Sequence, residues 1–226
     1  EVCPDWQPTS EQCAAMTDHP IFTESICRIR ALLGQTGLDP LRQQVLERLV
    51  HSSGDPGLQS LLLFSEGACE QGLAALQGGA VILTDTAMAA AAVMPMAERT
   101  LGTSVRCLLD WAPAVSPQDS TRSAAAMQRA WPELTQIASA KAQPMPVLLV
   151  GSAPTALEQL LDQLEAGAPA PSLVIGMPVG FVGVPESKRR LATTSLAQIR
   201  LEGTRGGAGL VAAAANALLR ASQAAS

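Results

Sequence analysis

The 226-residue sequence contains no tyrosine at all, and its aromatic residues amount to only 3%. So sparse a set leaves little for the stacking platforms that hold single-stranded nucleic acids. A net charge of -5 has the wrong sign for a phosphate backbone, so nucleic acid is not an expected partner. Charged residues are also scarce, at 15% against 47% hydrophobic, a balance that builds a buried core rather than a disordered chain. No apolar run reaches the roughly 18 residues of a membrane span. The nearest approach, 87–97, is short, Ala-rich and interrupted by Pro95. Cys3, Cys13, Cys27, Cys69 and Cys107 form no C-x-x-C pair and are odd in number, which disfavours a zinc knuckle or a disulfide framework and suits a reducing cytoplasm. The opening Glu1-Val-Cys-Pro-Asp5 has no basic stretch followed by an apolar one, so no secretion signal is expected, and residues 1–17 are read as an N-terminal tail.

What is present is alternation. From about residue 58, short apolar runs at 58–64, 80–84, 104–109, 146–150, 173–176 and 198–201 are separated by segments of helical period at 65–77, 119–140, 154–166, 185–194 and 206–221. Two further helices, 22–33 and 40–52, precede them. The pattern predicts an α/β protein of three layers, α/β/α, with a mainly parallel sheet, in a single domain preceded by two N-terminal helices. In such sheets ligands bind outside the carboxyl ends of the strands. The loops to watch are therefore Thr84-Asp85-Thr86, Gly151-Ser-Ala-Pro-Thr155, Gly176-Met-Pro-Val-Gly-Phe-Val-Gly183 and Gly203-Thr-Arg-Gly-Gly207.

These loops lack two familiar fingerprints. The glycines at 176, 180 and 183 do not fit G-x-G-x-x-G, and 151–155 lacks the Gly-Lys-Ser/Thr ending of a P-loop. Nicotinamide and ATP are poorly supported, although backbone N–H groups at helix starts hold a carboxylate as readily as a phosphate. The plainer alternative is that these glycines only serve tight turns. On the helix at 40–52, Leu41, Val45, Leu46, Leu49 and Val50 share one arc at about 100° per residue. His51 projects nearly opposite that arc, with Arg48 beside it on the same non-core side. Such a histidine is either a solvated surface residue or a proton donor, and an ordinary pKa of about 6.5 suits the second role at neutral pH. Arg122 stands in the first turn of a helix, where a cation gains nothing from the macrodipole, so it is either solvated or waiting for an anion. Lys188-Arg189-Arg190 is read as a solvated basic helix face, and His19 as a turn or helix-start residue.

Together these segments resemble the precorrin-8X methylmutase family, called cobalt-precorrin-8 methylmutase where cobalt enters early. The resemblance runs from about His19 to about Leu219, so that residues 18–226 are taken as the methylmutase domain. It is carried by Arg48-Leu-Val-His51, Ser120-Thr-Arg-Ser-Ala-Ala-Ala126, Gly151-Ser-Ala-Pro-Thr-Ala-Leu157, Gly167-Ala-Pro169, Gly176-Met-Pro-Val-Gly-Phe-Val-Gly183, Glu186-Ser-Lys188 and Arg205-Gly-Gly207, in that order. Three places depart from the usual pattern: Thr86-Ala87-Met88 in place of Ala-Glu-Met, Ser52-Ser53-Gly54 in place of Ala-Cys-Gly, and Gly151-Ser152-Ala153-Pro154 in place of Gly-Asn-Ala-Pro.

The resemblance implies an isomerase of cobalamin biosynthesis that moves the methyl group at C11 of a corrinoid precursor to C12, giving hydrogenobyrinate or its cobalt counterpart, without an organic cofactor and without a protein-bound metal. It implies a homodimer whose tetrapyrrole cavity lies near the subunit interface. It implies His51 as the proton donor and acceptor. Ser25, Arg48, Thr121, Arg122, Gly151, Ser152, Gly180 and Arg205 form the expected substrate-binding set, the arginines suiting the acetate and propionate arms of such a ring. Two other readings stay open: a tetrapyrrole carrier without catalysis, which would show the same loops but no turnover, and a nucleotide-dependent α/β enzyme, which a cofactor titration would reveal.

Overall fold

The structure is a computed structural model and describes residues 19–224. The tail read at 1–17, with Cys3 and Cys13, lies outside the described residues.

The chain opens with α1 (Pro20–Leu33), started by Pro20 and by the His19 ring, whose Nδ1 accepts from the Ile21 amide at 3.3 Å. Helix α2 (Pro40–Ser53) is started in the same way, Asp39 accepting from the amides of Leu41 and Arg42. The β-α alternation follows: β1 (Leu62–Phe64), α3 (Ala68–Gln77), β2 (Ile82–Thr84), α4 (Ala87–Thr100), β3 (Val105–Cys107), α5 (Arg122–Ala140), β4 (Val147–Val150), α6 (Pro154–Glu165), β5 (Leu173–Gly176), α7 (Val184–Ala192), β6 (Gln198–Leu201) and α8 (Ala208–Ala224). The six strands form one sheet in the order β1-β6-β5-β4-β2-β3. Every neighbouring pair is parallel except β1 with β6, which run antiparallel with Leu62 opposite Leu201.

Alternation of side chains along each strand divides the interior into two cores. Val147 and Leu149 of β4 face the layer built from α2, α3, α4 and α8, whereas Leu148 and Val150 face α5, α6 and α7. The arc read on α2 holds, since Val45, Leu46, Leu49 and Val50 are all buried in the first core, with Leu41 packed at its margin. Chain order reverses between β2 and β4, so the carboxyl ends of these two strands, at Thr84-Asp85 and Val150-Gly151, form the switch point at which open α/β sheets leave a crevice.

Several local expectations are corrected. Residues 58–61 are not strand, because Asp55 accepts from the Gly57 amide and starts a 3-10 helix, Pro56–Ser60, that delays β1 to Leu62. The reading assigned no helix to the Ala-rich segment around Pro95, but Thr86 caps it by accepting from the Ala89 amide, and α4 continues through the proline. Strand β3 stops at Cys107 and gives way to a 3-10 turn, Leu108–Trp111. The basic run is not a uniformly solvated face: Lys188 is only 2% exposed, and Arg190 is clamped by Glu158, Asp162 and Glu165 of α6. Cys69 and Cys107 are free thiols. Among the described residues no helix is long and apolar enough to cross a membrane.

Candidate active site

His51 stands in the last turn of α2, exposed, as expected of a residue opposite the buried arc. Helix α1 crosses beside it and offers Ser25, whose Oγ lies 2.8 Å from His51 Nδ1. One turn earlier on α1, Phe22 meets the imidazole edge to face, with ring centroids 5.0 Å apart and planes at 78°. Ser25 and Phe22 thus fix the imidazole by a hydrogen bond and by a ring contact. The Phe22 ring also carries two guanidinium groups, Arg48 of α2 at 4.9 Å from its centroid and Arg220 of α8 at 4.8 Å. Partial burial, and then the neighbouring Arg48 charge, push the His51 pKa below its ordinary 6.5. At neutral pH the unliganded imidazole is therefore mostly neutral. The Ser25 hydroxyl can serve either tautomer of the neutral ring, donating to a bare Nδ1 or accepting from a protonated one.

A second group of expected residues lies at the strand ends. Asp85, fully buried after β2, reaches across the switch point, and its Oδ2 accepts from the amides of Gly151 (3.0 Å), Ser152 (2.5 Å) and Ala153 (2.8 Å). The amides that a ligand carboxylate was expected to use in this loop are thus satisfied by the protein's own carboxylate. Burial pushes the Asp85 pKa up, and the three amide hydrogen bonds oppose that shift. The Ser152 side chain remains exposed. Thr121 caps α5 and shares a 2.7 Å hydroxyl contact with Thr155 of α6, while Arg122 donates from Nε to the Pro113 carbonyl at 2.9 Å.

The remaining two expected residues belong to a pair of loops zipped together. The Gly180 amide donates to the Thr204 carbonyl, and the Gly207 amide to that of Met177. Arg205 pairs with Asp55 at 2.8 Å, tying the loop after β6 to the loop that follows α2. The glycines in these loops permit close approach: a Cβ at Gly206 would lie 2.0 Å from the Met177 carbonyl oxygen, and one at Gly151 would lie 2.7 Å from the backbone of Gly207 and Ala208.

The structure therefore brings Ser25, Arg48 and His51 together on the α1-α2-α8 side. It places Thr121 and Arg122 on α5, in the layer on the other face of the sheet. Sequence reasoning missed Phe22 and Arg220, and gave no role to Asp85, Asp55 or Lys188. An acidic residue directly after an apolar strand, facing a Gly-Ser-Ala-Pro helix start, was the available signal for Asp85. Nothing in the local pattern marks Arg220.

The family model for precorrin-8X methylmutase matches residues 20–221, nearly all of the chain. The chain belongs to the precorrin-8X methylmutase family. A precorrin-8X methylmutase of Pseudomonas aeruginosa is 39% identical over 207 residues, which are 88% of this chain and 93% of that protein. A cobalt-precorrin-8 methylmutase of Synechocystis is 31% identical over 216 residues, 89% and 95% of the two chains. Among solved structures, a precorrin-8X methyl mutase from Thermus thermophilus superposes with a TM-score of 0.76 at 37% identity, covering 91% of this chain and 96% of its own. As a member of the methylmutase family the protein is an isomerase.

Proposed function

We propose that this protein isomerises a corrinoid precursor of cobalamin by moving the C11 methyl group to C12, with His51 as the proton donor and acceptor. The observation that carries the reading is the held imidazole: His51 is exposed yet fixed by Ser25 and Phe22, with Arg48 alongside. In the reaction the imidazolium gives its proton to the conjugated ring at or beside ring C. The electron-poor system then accepts a suprafacial 1,5 shift of methyl, and loss of the same proton to His51 restores neutrality and both starting protonation states. Acid catalysis of this kind contributes about 10²–10⁴-fold, so fixing the macrocycle against the site must supply the rest.

Arg48, Arg122 and Arg205 are the groups for the acidic arms, with Ser25, Thr121 and the Ser152 hydroxyl as further polar contacts and the Gly151 and Gly180 loops as the walls. Because Asp85 already takes the Gly151 and Ser152 amides, that loop offers a substrate its hydroxyl rather than its backbone. The two groups of residues lie on opposite layers of one subunit, which supports a cavity completed by a second copy in a homodimer, working in the cytoplasm. A carrier without catalysis is the less favoured reading, since the relatives are named as mutases.

The test is His51→Ala with metal-free and with cobalt-loaded substrate, followed by the visible spectrum. The variant is expected to bind the tetrapyrrole and to lose nearly all turnover on the substrate that the wild type accepts. Near wild-type turnover by the variant removes His51 from the chemistry, and binding without turnover by the wild type itself restores the carrier.

A further inference from the structure

Lys188 lies on α7, outside every group assigned so far, and is 2% exposed. Its Nζ donates to two backbone carbonyls of the loop after β6, Gly203 at 2.9 Å and Arg205 at 2.6 Å. An ammonium group taken out of water is costly unless its donors are met, and a bare apolar residue would fill the same space without that cost. The position holds a lysine nonetheless, and burial alone pushes its pKa down to about 8. What the ammonium grips is the backbone of Arg205 itself. The same loop is held by the amide of Gly180 on the Thr204 carbonyl, and it is joined through the Arg205–Asp55 pair to the segment directly after the helix that carries His51.

We infer that Lys188 is a positioning residue for substrate binding, anchoring the Gly203–Arg205 backbone so that the Arg205 guanidinium meets an acidic arm of the corrinoid. The inference rests on the proposed function, because it takes Arg205 as a substrate contact. Lys188 acts through Arg205 and touches no reacting atom, so its loss falls on binding rather than on the chemical step.

A double-mutant cycle separates this role from simple stabilisation. Lys188→Met keeps an unbranched flexible stem, one heavy atom shorter, and removes the charged donors. It is expected to raise KM for the corrinoid about tenfold while kcat changes less than threefold. Arg205→Ala should raise KM to a similar extent, and Lys188→Met added to Arg205→Ala should raise it no further, because the anchored group is already gone. A folded Lys188→Met protein with KM within twofold of wild type overturns the inference, as do effects that multiply in the double variant. If the methionine variant does not fold, Lys188→Gln, which retains N–H donors on a shorter stem, is read in the same cycle. Failure of both to fold makes Lys188 a core residue and also overturns the proposal. Should the wild type bind corrinoid without turning it over, the proposed function fails separately, and the cycle is then read on Kd for the bound corrinoid.

Discussion

Because burial and Arg48 both disfavour its charged form, His51 begins the catalytic cycle mostly unprotonated at neutral pH, whereas the proposed chemistry needs an imidazolium. The proposed binding mode resolves this conflict: substrate carboxylates placed against Arg48 would neutralise it and add negative charge beside the ring, raising the His51 pKa and drawing a proton from solution. Calorimetric binding of the corrinoid at pH 7 in buffers of different ionisation enthalpy should therefore show net proton uptake in the wild type, and uptake lost in His51→Ala. Equal uptake in both would assign the proton elsewhere. Arg48→Met removes the repelling cation, so NMR titration of unliganded His51 should give a higher pKa than in the wild type, together with weaker corrinoid binding. The same depression makes a stability prediction. A histidine whose folded pKa lies below its unfolded value of about 6.5 costs the fold stability as pH falls below that value, and the cost should shrink in Arg48→Met. Helical periodicity made the direction of the His51 side chain readable in the sequence, because a wheel needs only neighbours on one helix. It could not give the sign of the pKa shift, which depends on contacts between α1, α2 and α8 and on depth of burial.

At the scale of elements, the carboxyl ends of the strands are organised by Asp85. Helix α6 has no side-chain cap, its N-cap being Ala153, and the carboxylate at the end of β2 instead holds the three amides that lead into the helix, those of Gly151, Ser152 and Ala153. Charge-assisted hydrogen bonds of this kind are worth about 1.5–3 kcal/mol apiece, not fully additive when one oxygen serves three donors. Asp85→Ala is accordingly expected to cost about 3 kcal/mol, read as a lowered urea midpoint with the slope unchanged, and to loosen the Gly151–Ala153 loop. A loss below about 1 kcal/mol would show that the amides find water instead. Gly206→Ala tests the neighbouring zipper. Its methyl group would collide with the Met177 carbonyl, a backbone atom that cannot rotate away, so about 3 kcal/mol of destabilisation is expected, with raised KM as the Arg205 loop shifts. Strand and helix existence was largely legible because apolar runs and helical periods are local signals. The 3-10 turn at Pro56–Ser60 and the helix running through Pro95 were not, since each is decided by a single cap, Asp55 or Thr86, that overrides the pattern around it. Lys188 was misread for the same reason in reverse: its charge is local, but its burial is set by β6 and the loop beyond.

The whole molecule leaves an apolar rim at the strand ends. Met88 follows β2, Val115 follows β3, and Val179, Phe181 and Val182 follow β5, with Phe181 and Val182 85% and 91% exposed. Ile21 and Leu32 of α1 are exposed as well, but the two most exposed large apolar side chains stand together in the loop after β5, the kind of exposure that contact surfaces show. The proposed dimer gives the rim an occupant, and with its twofold axis in the plane of the sheet and across the strands it would bring the α1-α2 side of one copy, with His51, toward the α5 side of the other, with Arg122. Replacing both Phe181 and Val182 by Asp places four carboxylates at a twofold contact, where like charges and lost apolar area act together. The double variant should sediment as a monomer at micromolar concentration, stay folded because neither side chain is buried within the subunit though with a Tm lowered by the lost association, and lose turnover in proportion to the loss of dimer. His51→Ala should remain dimeric. A Phe181→Asp, Val182→Asp protein that stays dimeric and active would place the subunit contact on another face, and a wild type that is monomeric at full activity would require each subunit to bind the corrinoid with the α1-α2 residues alone.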